Sequence, residues 1–236
     1  MSTTAASGPA AISRRFVIHW ILSLVVPGLI LMLLRGFPLG NSTSALVYWI
    51  AAAAPVPVWL LIGFLQYRLL RAYLRTGLWW LLATFAGGIL GMFFGGPVMV
   101  LMTPFEEVVV ISGTSTPEWM FAPYPLFPAA VGGAVAAAIL GLSQSLSLGQ
   151  GLQRGFLWAG LSAIGGALAA VGGGLAHLAY ARSISTLNPA TVEANAALHS
   201  MIALSIAMAA GTLVYGLLTG LVMRWLIVHG DRRTRP

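Results

Sequence analysis

Residues 62–91 read IGFLQYRLLRAYLRTGLWWLLATFAGGILG, and residues 140–169 read LGLSQSLSLGQGLQRGFLWAGLSAIGGALA. The two stretches are copies of one pattern, 78 positions apart. The matched glutamine and tryptophan carry more weight than the matched leucines and glycines, because polar residues are scarce in this chain. Such an internal repeat decides the architecture of a protein. The positions that recur are Gly63, Gln66, Leu70, Leu74, Gly77, Trp80, Gly87, Gly88 and Leu90, which match Gly141, Gln144, Leu148, Leu152, Gly155, Trp158, Gly165, Gly166 and Leu168.

A third, partial copy extends the pattern to both ends of the chain. Near the C-terminus, Gly216, Thr219, Met223 and Arg224 are spaced like Gly63, Gln66, Leu70 and Arg71. Near the N-terminus, Arg15 and Trp20 are spaced like Arg75 and Trp80. The sequence therefore predicts three helical hairpins, at about 14–66, 75–148 and 153–224. Because each hairpin contains two spans, all three enter a membrane in the same direction and form parallel repeats.

The composition predicts an all-α polytopic membrane protein. Hydrophobic residues make up 58% of the chain and charged residues 7%, against roughly 25% charged residues in soluble domains. Apolar runs of about 20 residues are long enough to cross a bilayer. We expect one transmembrane domain over 13–230, a flexible tail at 1–12 and a basic tail at 231–236. The six predicted spans are 16–34, 45–66, 77–102, 127–148, 155–180 and 201–228.

The arginines predict the orientation of this domain. With six spans, ten of the twelve arginines fall on one side of the membrane and only Arg35 and Arg182 on the other. Basic residues are enriched on the cytoplasmic side, so both termini are expected there, in a bacterial inner membrane. The net charge of +7 then has lipid headgroups, rather than nucleic acid, as its partner.

Aromatic residues fall near the predicted helix ends, which is typical of rings that anchor helices at the membrane surface. A ligand site lined by these rings is the alternative. The residues concerned are Trp20, Tyr67, Tyr73, Trp79, Trp80, Trp158, Tyr180 and Trp225.

The sequence offers little catalytic chemistry. It has no cysteine, which excludes disulfides, thiolate catalysis and cysteine-ligated metals. The middle of each predicted span lacks Asp, Glu, Lys and Arg, the groups on which proton-coupled carriers and intramembrane proteases depend. We therefore expect a protein that is not an enzyme and has no resident cofactor or metal.

The repeated glycine and polar residue define a candidate site. Gly63 and Gln66, like Gly141 and Gln144, stand three residues apart and so share a helix face. Gly216 and Thr219 repeat this spacing. Glycine allows close helix approach and an amide can bond across the interface, which favours helix packing. The alternative is that these side chains line a polar path.

Two other groups of residues are weaker candidates. His19 and His229 are expected at the cytoplasmic side, and His177 and His199 at the outer side. Such pairs could ligate haem or chlorophyll, because imidazole is an axial ligand. The loop 103–126 is rich in aromatic residues and prolines, and long loops are often functional. It is expected either to anchor on the outer membrane surface or to act as a lid or a partner contact, through Trp119, Phe121 and Tyr124.

The pattern Gly63-x-x-Gln66, Leu70-Arg71, Trp79-Trp80 and Gly87-Gly88, with its echo at Gly141-x-x-Gln144, resembles a family of uncharacterised bacterial multi-pass membrane proteins. Those proteins repeat a G-x-x-Q-x-x-x-L-R turn followed by a tryptophan-led helix. The second copy departs from this pattern, because Gly149 occupies the place of Arg71 and Arg154 supplies a charge later in the turn. The resemblance implies a topology and no particular activity.

Three functions are compatible with these features. The first is a membrane subunit or scaffold that packs through glycine-rich helix faces, in contact with the lipid bilayer and with a membrane protein partner or further copies of itself. The second is a facilitative channel or carrier for a small solute. The third is a haem- or chlorophyll-binding membrane subunit.

Overall fold

The computed structural model describes six α-helices. It covers residues 14–36, 53–74, 77–102, 126–148, 152–184, 187–188, 191–192 and 195–230. The predicted tails at 1–12 and 231–236 lie outside these residues, as does the start of the predicted second span. The helices are α1 (Arg14–Gly36), α2 (Pro55–Leu70), α3 (Trp79–Met102), α4 (Leu126–Leu148), α5 (Leu152–Ile184) and α6 (Ala196–Gly230).

Five of these helices are long and apolar enough to cross a membrane, and α2 is a shorter apolar helix. Its 16 described residues rise about 24 Å, somewhat less than a hydrocarbon core of about 30 Å. Proline at its first position fits a helix start, because the first amide groups of a helix lack acceptors within it. The predicted all-helical membrane class is confirmed. The helices α5 and α6 extend beyond the predicted spans at both ends.

The main interfaces join each helix to the next in the chain, and α6 packs against α1. The six helices therefore form a closed ring. Glycines bring neighbouring backbones together: a Cβ atom on Gly91 of α3 would lie 2.6 Å from the carbonyl oxygen of Ala136 in α4. On α5, a Cβ atom on Gly173 would lie 2.7 Å from the carbonyl oxygen of Ala207 in α6. Only glycine fits at such positions, as in other tightly packed membrane helices.

Large apolar side chains point away from the ring as well as into it. On α1, Ile18, Leu22 and Val26 are exposed, whereas Phe16 and Trp20 are buried. A helix that is apolar on every face is typical of a membrane span, because lipid covers the outward side. Several polar side chains of these helices are buried in the interior instead, among them Gln66, Thr84, Gln144 and Thr219.

Candidate functional site

Three tryptophans fill the centre of the ring at one end. Trp20 of α1, Trp80 of α3 and Trp158 of α5 lie in the first two turns of their helices, and each is at most 1% exposed. Their ring centroids form a nearly equilateral triangle with sides of 6.2, 6.4 and 6.4 Å. Aromatic rings at this separation in tilted and edge-on geometry attract each other. We call this group the tryptophan triad.

Each indole of the triad donates a hydrogen bond to a different polar side chain. The Nε1 atom of Trp80 lies 3.3 Å from Gln66 Oε1, and that of Trp158 lies 3.1 Å from Gln144 Oε1. The third, Trp20 Nε1, lies 3.0 Å from Thr219 Oγ1. A buried indole N–H needs such an acceptor. The same contact is thus made three times, between the end of an even-numbered helix and the start of an odd-numbered one.

Gln144 connects these contacts to one another. Its Nε2 atom donates to Thr84 Oγ1 at 3.0 Å and, at a longer 3.4 Å, to Gln66 Oε1. Both glutamines and Thr84 are at most 2% exposed. Because Gln144 accepts from Trp158 and donates to Thr84 on α3 and Gln66 on α2, it joins four helices in one network.

The candidate glycines approach the backbone of the following helix. For Gly216 of α6, the following helix in the ring is α1, so this contact closes the ring. In each case a Cβ atom would lie 2.9–3.1 Å from a backbone atom of the neighbour, so even alanine would require movement. The pairs are Gly63 with Leu81, Gly141 with Ala159, and Gly216 with Ile21.

In all three units, the glycine of the repeat approaches the next helix, and the polar residue accepts a hydrogen bond from one triad tryptophan. Gln66, Gln144 and Thr219 are buried and bonded to the triad. One turn further along their helices, Leu70 and Met223 are fully buried against the same core. At this level, the described side chains that face the centre of the bundle are buried.

The expectation that the three triad tryptophans anchor helices at the membrane surface is wrong, because they are buried in the centre. Trp79, adjacent to Trp80, is 73% exposed and has the position that an anchoring ring requires. The sequence does contain a signal that separates the two roles. Gln66 and Trp80, like Gln144 and Trp158, are 14 residues apart, and Trp79 has no such repeated partner.

Two further polar residues of this centre were not singled out from the sequence. Thr84 and Ser162 each lie one helical turn after a triad tryptophan and are fully buried. Their spacing from Trp80 and Trp158 is the same, but serine and threonine differ enough to hide the match. Ser162 Oγ has no hydrogen-bond partner among the described residues, whereas Thr84 bonds Gln144.

The four histidines are distributed between the two ends of the bundle. His19 is exposed on α1, and the exposed His229 donates from Nδ1 to the carbonyl oxygen of Trp225 at 3.0 Å. At the other end, His177 is buried on α5, and His199 Nδ1 lies 2.8 Å from the hydroxyl of Tyr180. Among the residues that the structure describes, no three His, Cys, Asp or Glu side chains form a metal-binding group.

The predicted partner loop falls outside the described residues. Trp119, Phe121 and Tyr124 all belong to residues 103–125, of which the structure gives no account. The proposed role of this loop therefore stays a prediction.

No family model matches this chain, and neither a curated protein nor a solved structure matches it.

The polar groups of this centre are suited to connecting helices by hydrogen bonds. Amide, indole and hydroxyl groups donate and accept hydrogen bonds, but they are weak acids and weak bases. The described part of the chain contains no aspartate, glutamate or lysine at all. What the arrangement can do is hold the helices in one register, since each bond between an indole or amide N–H and a polar side chain of the centre links different helices.

Proposed function

We propose that the protein is a non-enzymatic integral membrane subunit or scaffold. The observation that carries the proposal is the use of Gln66, Gln144 and Thr219, which are buried in the centre and bonded to the tryptophan triad. The polar residues of the repeat thus serve to fix the bundle. The outer surface offers partners and lipid apolar side chains, such as Phe93 at 74% exposure and Phe127 at 71%.

Site-specific photo-crosslinking tests the subunit role. A photoreactive phenylalanine analogue replaces Phe93 or Phe127 in cells, and the buried Leu140 serves as the matched control position. We expect a crosslinked product of discrete higher mass from at least one exposed position and none from Leu140. Mass spectrometry then identifies a partner or a second copy of the chain. Crosslinks to lipid alone at both exposed positions would contradict the subunit role.

Solute flux separates the scaffold from a channel or carrier. The purified chain is reconstituted in vesicles, and entry of small neutral solutes is measured beside the double variant Gln66→Leu and Gln144→Leu. A scaffold gives flux no higher than that of empty vesicles. Flux that is present in the unchanged chain and lost in the variant would replace the scaffold with a polar path through the ring. Visible absorbance of the purified protein would instead favour a haem or pigment subunit.

We further infer six spans arranged as three parallel hairpins, with both termini in the cytoplasm of a bacterial cell. The arginine distribution supports this orientation, and the threefold recurrence of the indole bond supports the hairpins. A green fluorescent protein fused after Pro236 is expected to fluoresce, whereas alkaline phosphatase at the same place is expected to be inactive. The opposite pair of results would reverse the orientation without affecting the scaffold role.

A further inference from the structure

The polar centre can be divided into sectors, one at each interface between an even-numbered helix and the odd-numbered helix before it, and these sectors are not equivalent. Where α4 meets α3, Gln144 reaches across to Thr84 with a hydrogen bond of 3.0 Å. Where α6 meets α5, the corresponding residues are Thr219 and Ser162. Threonine is shorter than glutamine, and its hydroxyl is already engaged, because it accepts from Trp20 and donates to the carbonyl oxygen of Tyr215 at 2.7 Å.

The consequence is a buried hydroxyl with no partner. Ser162 is 0% exposed, and its Oγ has no hydrogen bond to any residue that the structure describes. The Tyr215 hydroxyl lies within interaction range of Ser162, but the two do not meet in hydrogen-bonding geometry. Buried hydroxyls in native proteins are nearly always satisfied, often by an ordered water.

The surroundings of Ser162 are polar and contain small residues. On the α4 side lies Gly141, which has no side chain; a Cβ atom there would lie 2.9 Å from Ser162 Oγ. On the α6 side, the ring of Tyr215 and the methyl group of Thr219 pack beside Gly165, one turn along α5 from Ser162. The Ser162 hydroxyl thus lies in a small region where α4, α5 and α6 meet, and the Tyr215 hydroxyl is close enough to interact with it.

We propose that this region is a binding site for a single water molecule, which takes the place of the amide that Gln144 supplies in the neighbouring sector. A buried water makes about three hydrogen bonds to polar groups that lack other partners. Ser162 Oγ and the Tyr215 hydroxyl provide two such groups, and buried waters use about two to four. The ligand must both donate and accept within one small space, which is the chemistry of water.

The direct test is a density map of the full chain in nanodiscs, at a resolution that shows ordered waters. We expect a peak within hydrogen-bond distance of Ser162 Oγ and of at least one α6 hydroxyl. The variant Thr219→Gln, which restores the glutamine of the other two units, is expected to remove this peak and to bring an amide beside Ser162. A map that resolves other ordered waters but shows no peak here would overturn the proposal.

A stability comparison gives an independent answer if a variant resists structural work. Ser162→Ala and its matched control Thr84→Ala are compared with the unchanged chain by their thermal unfolding midpoints in detergent. A bridged Ser162 makes both variants less stable. An unpartnered Ser162, or one that bonds only its own helix, would leave the midpoint of Ser162→Ala unchanged or raised, and this result would also overturn the water site.

Discussion

Replacing Gln144 with leucine removes three hydrogen bonds from the centre of the bundle at once. The lost bonds are those from Trp158 Nε1 at 3.1 Å, to Thr84 Oγ1 at 3.0 Å and to Gln66 Oε1 at 3.4 Å. Leucine is close to glutamine in size, so the change tests the polar contacts more than the packing. Because the network joins four helices, we expect the whole ring to lose stability.

The size of the loss follows from two contributions. Hydrogen bonds between membrane helices are worth about 0.6 kcal/mol on average and at most about 1.7 kcal/mol each, which gives roughly 1–3 kcal/mol for two good bonds and one long bond. The buried indole N–H of Trp158 is left without an acceptor, which adds about 1–3 kcal/mol. Thr84 adds little, because its hydroxyl can turn to a carbonyl of its own helix. We expect Gln144→Leu to lower the free energy of unfolding by about 2–6 kcal/mol.

Because the chain contains no cysteine, this loss of stability can be measured with a single introduced thiol. A single cysteine replaces Ala203, which is 0% exposed on α6, and its reaction with a maleimide is followed as sodium dodecyl sulfate is added to mixed micelles. Burial protects the thiol in the folded bundle, so the labelled fraction reports unfolding. The matched control is Gln153→Leu, since Gln153 is exposed on α5 and exposed substitutions usually change stability by less than about 0.5 kcal/mol.

Unfolding of Gln144→Leu and Gln153→Leu at the same detergent fraction would refute this expectation. That result would mean that the hydrogen bonds of the centre contribute nothing beyond what the unfolded chain finds in a micelle. The tryptophan triad would then be a consequence of packing alone, and the hydrogen-bond network of Gln144 would not stabilise the bundle.

Two further predictions concern the packing of the ring, and each has a matched control in the same chain. Gly91→Ala is expected to cost about 1–3 kcal/mol, because the added Cβ atom would lie 2.6 Å from the carbonyl oxygen of Ala136 and must force α3 and α4 apart. At Gly160, where a Cβ atom meets nothing within 4 Å, alanine is expected to be neutral or to stabilise α5 by up to about 1 kcal/mol. The same maleimide titration compares the unfolding midpoints of Gly91→Ala and Gly160→Ala. Equal midpoints would exclude tight α3–α4 packing. Trp158→Phe keeps an aromatic ring but removes the buried indole N–H. It is expected to lower the unfolding midpoint more than Trp79→Phe does, because Trp79 is 73% exposed. The reverse order would contradict the central position of the triad.

Some features of the candidate site are legible in the repeat. The shared spacing of glycine and glutamine places Gly63 with Gln66, and Gly141 with Gln144, on one face, and those faces do meet neighbouring helices. The residues that these faces contact could not be predicted from the sequence. Trp80 and Trp158 stand at helix starts, where a tryptophan in a membrane protein usually faces the lipid surface.

The sequence by itself determined the class of the protein. So many apolar residues and so few charges leave no soluble fold available, and 3.6-residue periodicity places residues on helix faces without any knowledge of the neighbours. Glycine and glutamine three residues apart therefore predict a packing face from local geometry alone.

The tertiary structure decided what those faces meet. Closing α6 onto α1 brings Thr219 to Trp20, 199 positions away along the chain, and no local pattern encodes that contact. The same closure turns Trp20, Trp80 and Trp158 into one buried triangle. It also leaves Ser162 Oγ without the kind of partner that Thr84 has in Gln144. Such contacts depend on the positions of whole helices relative to each other, and helix positions are set by packing across the ring rather than by the residues of any one segment.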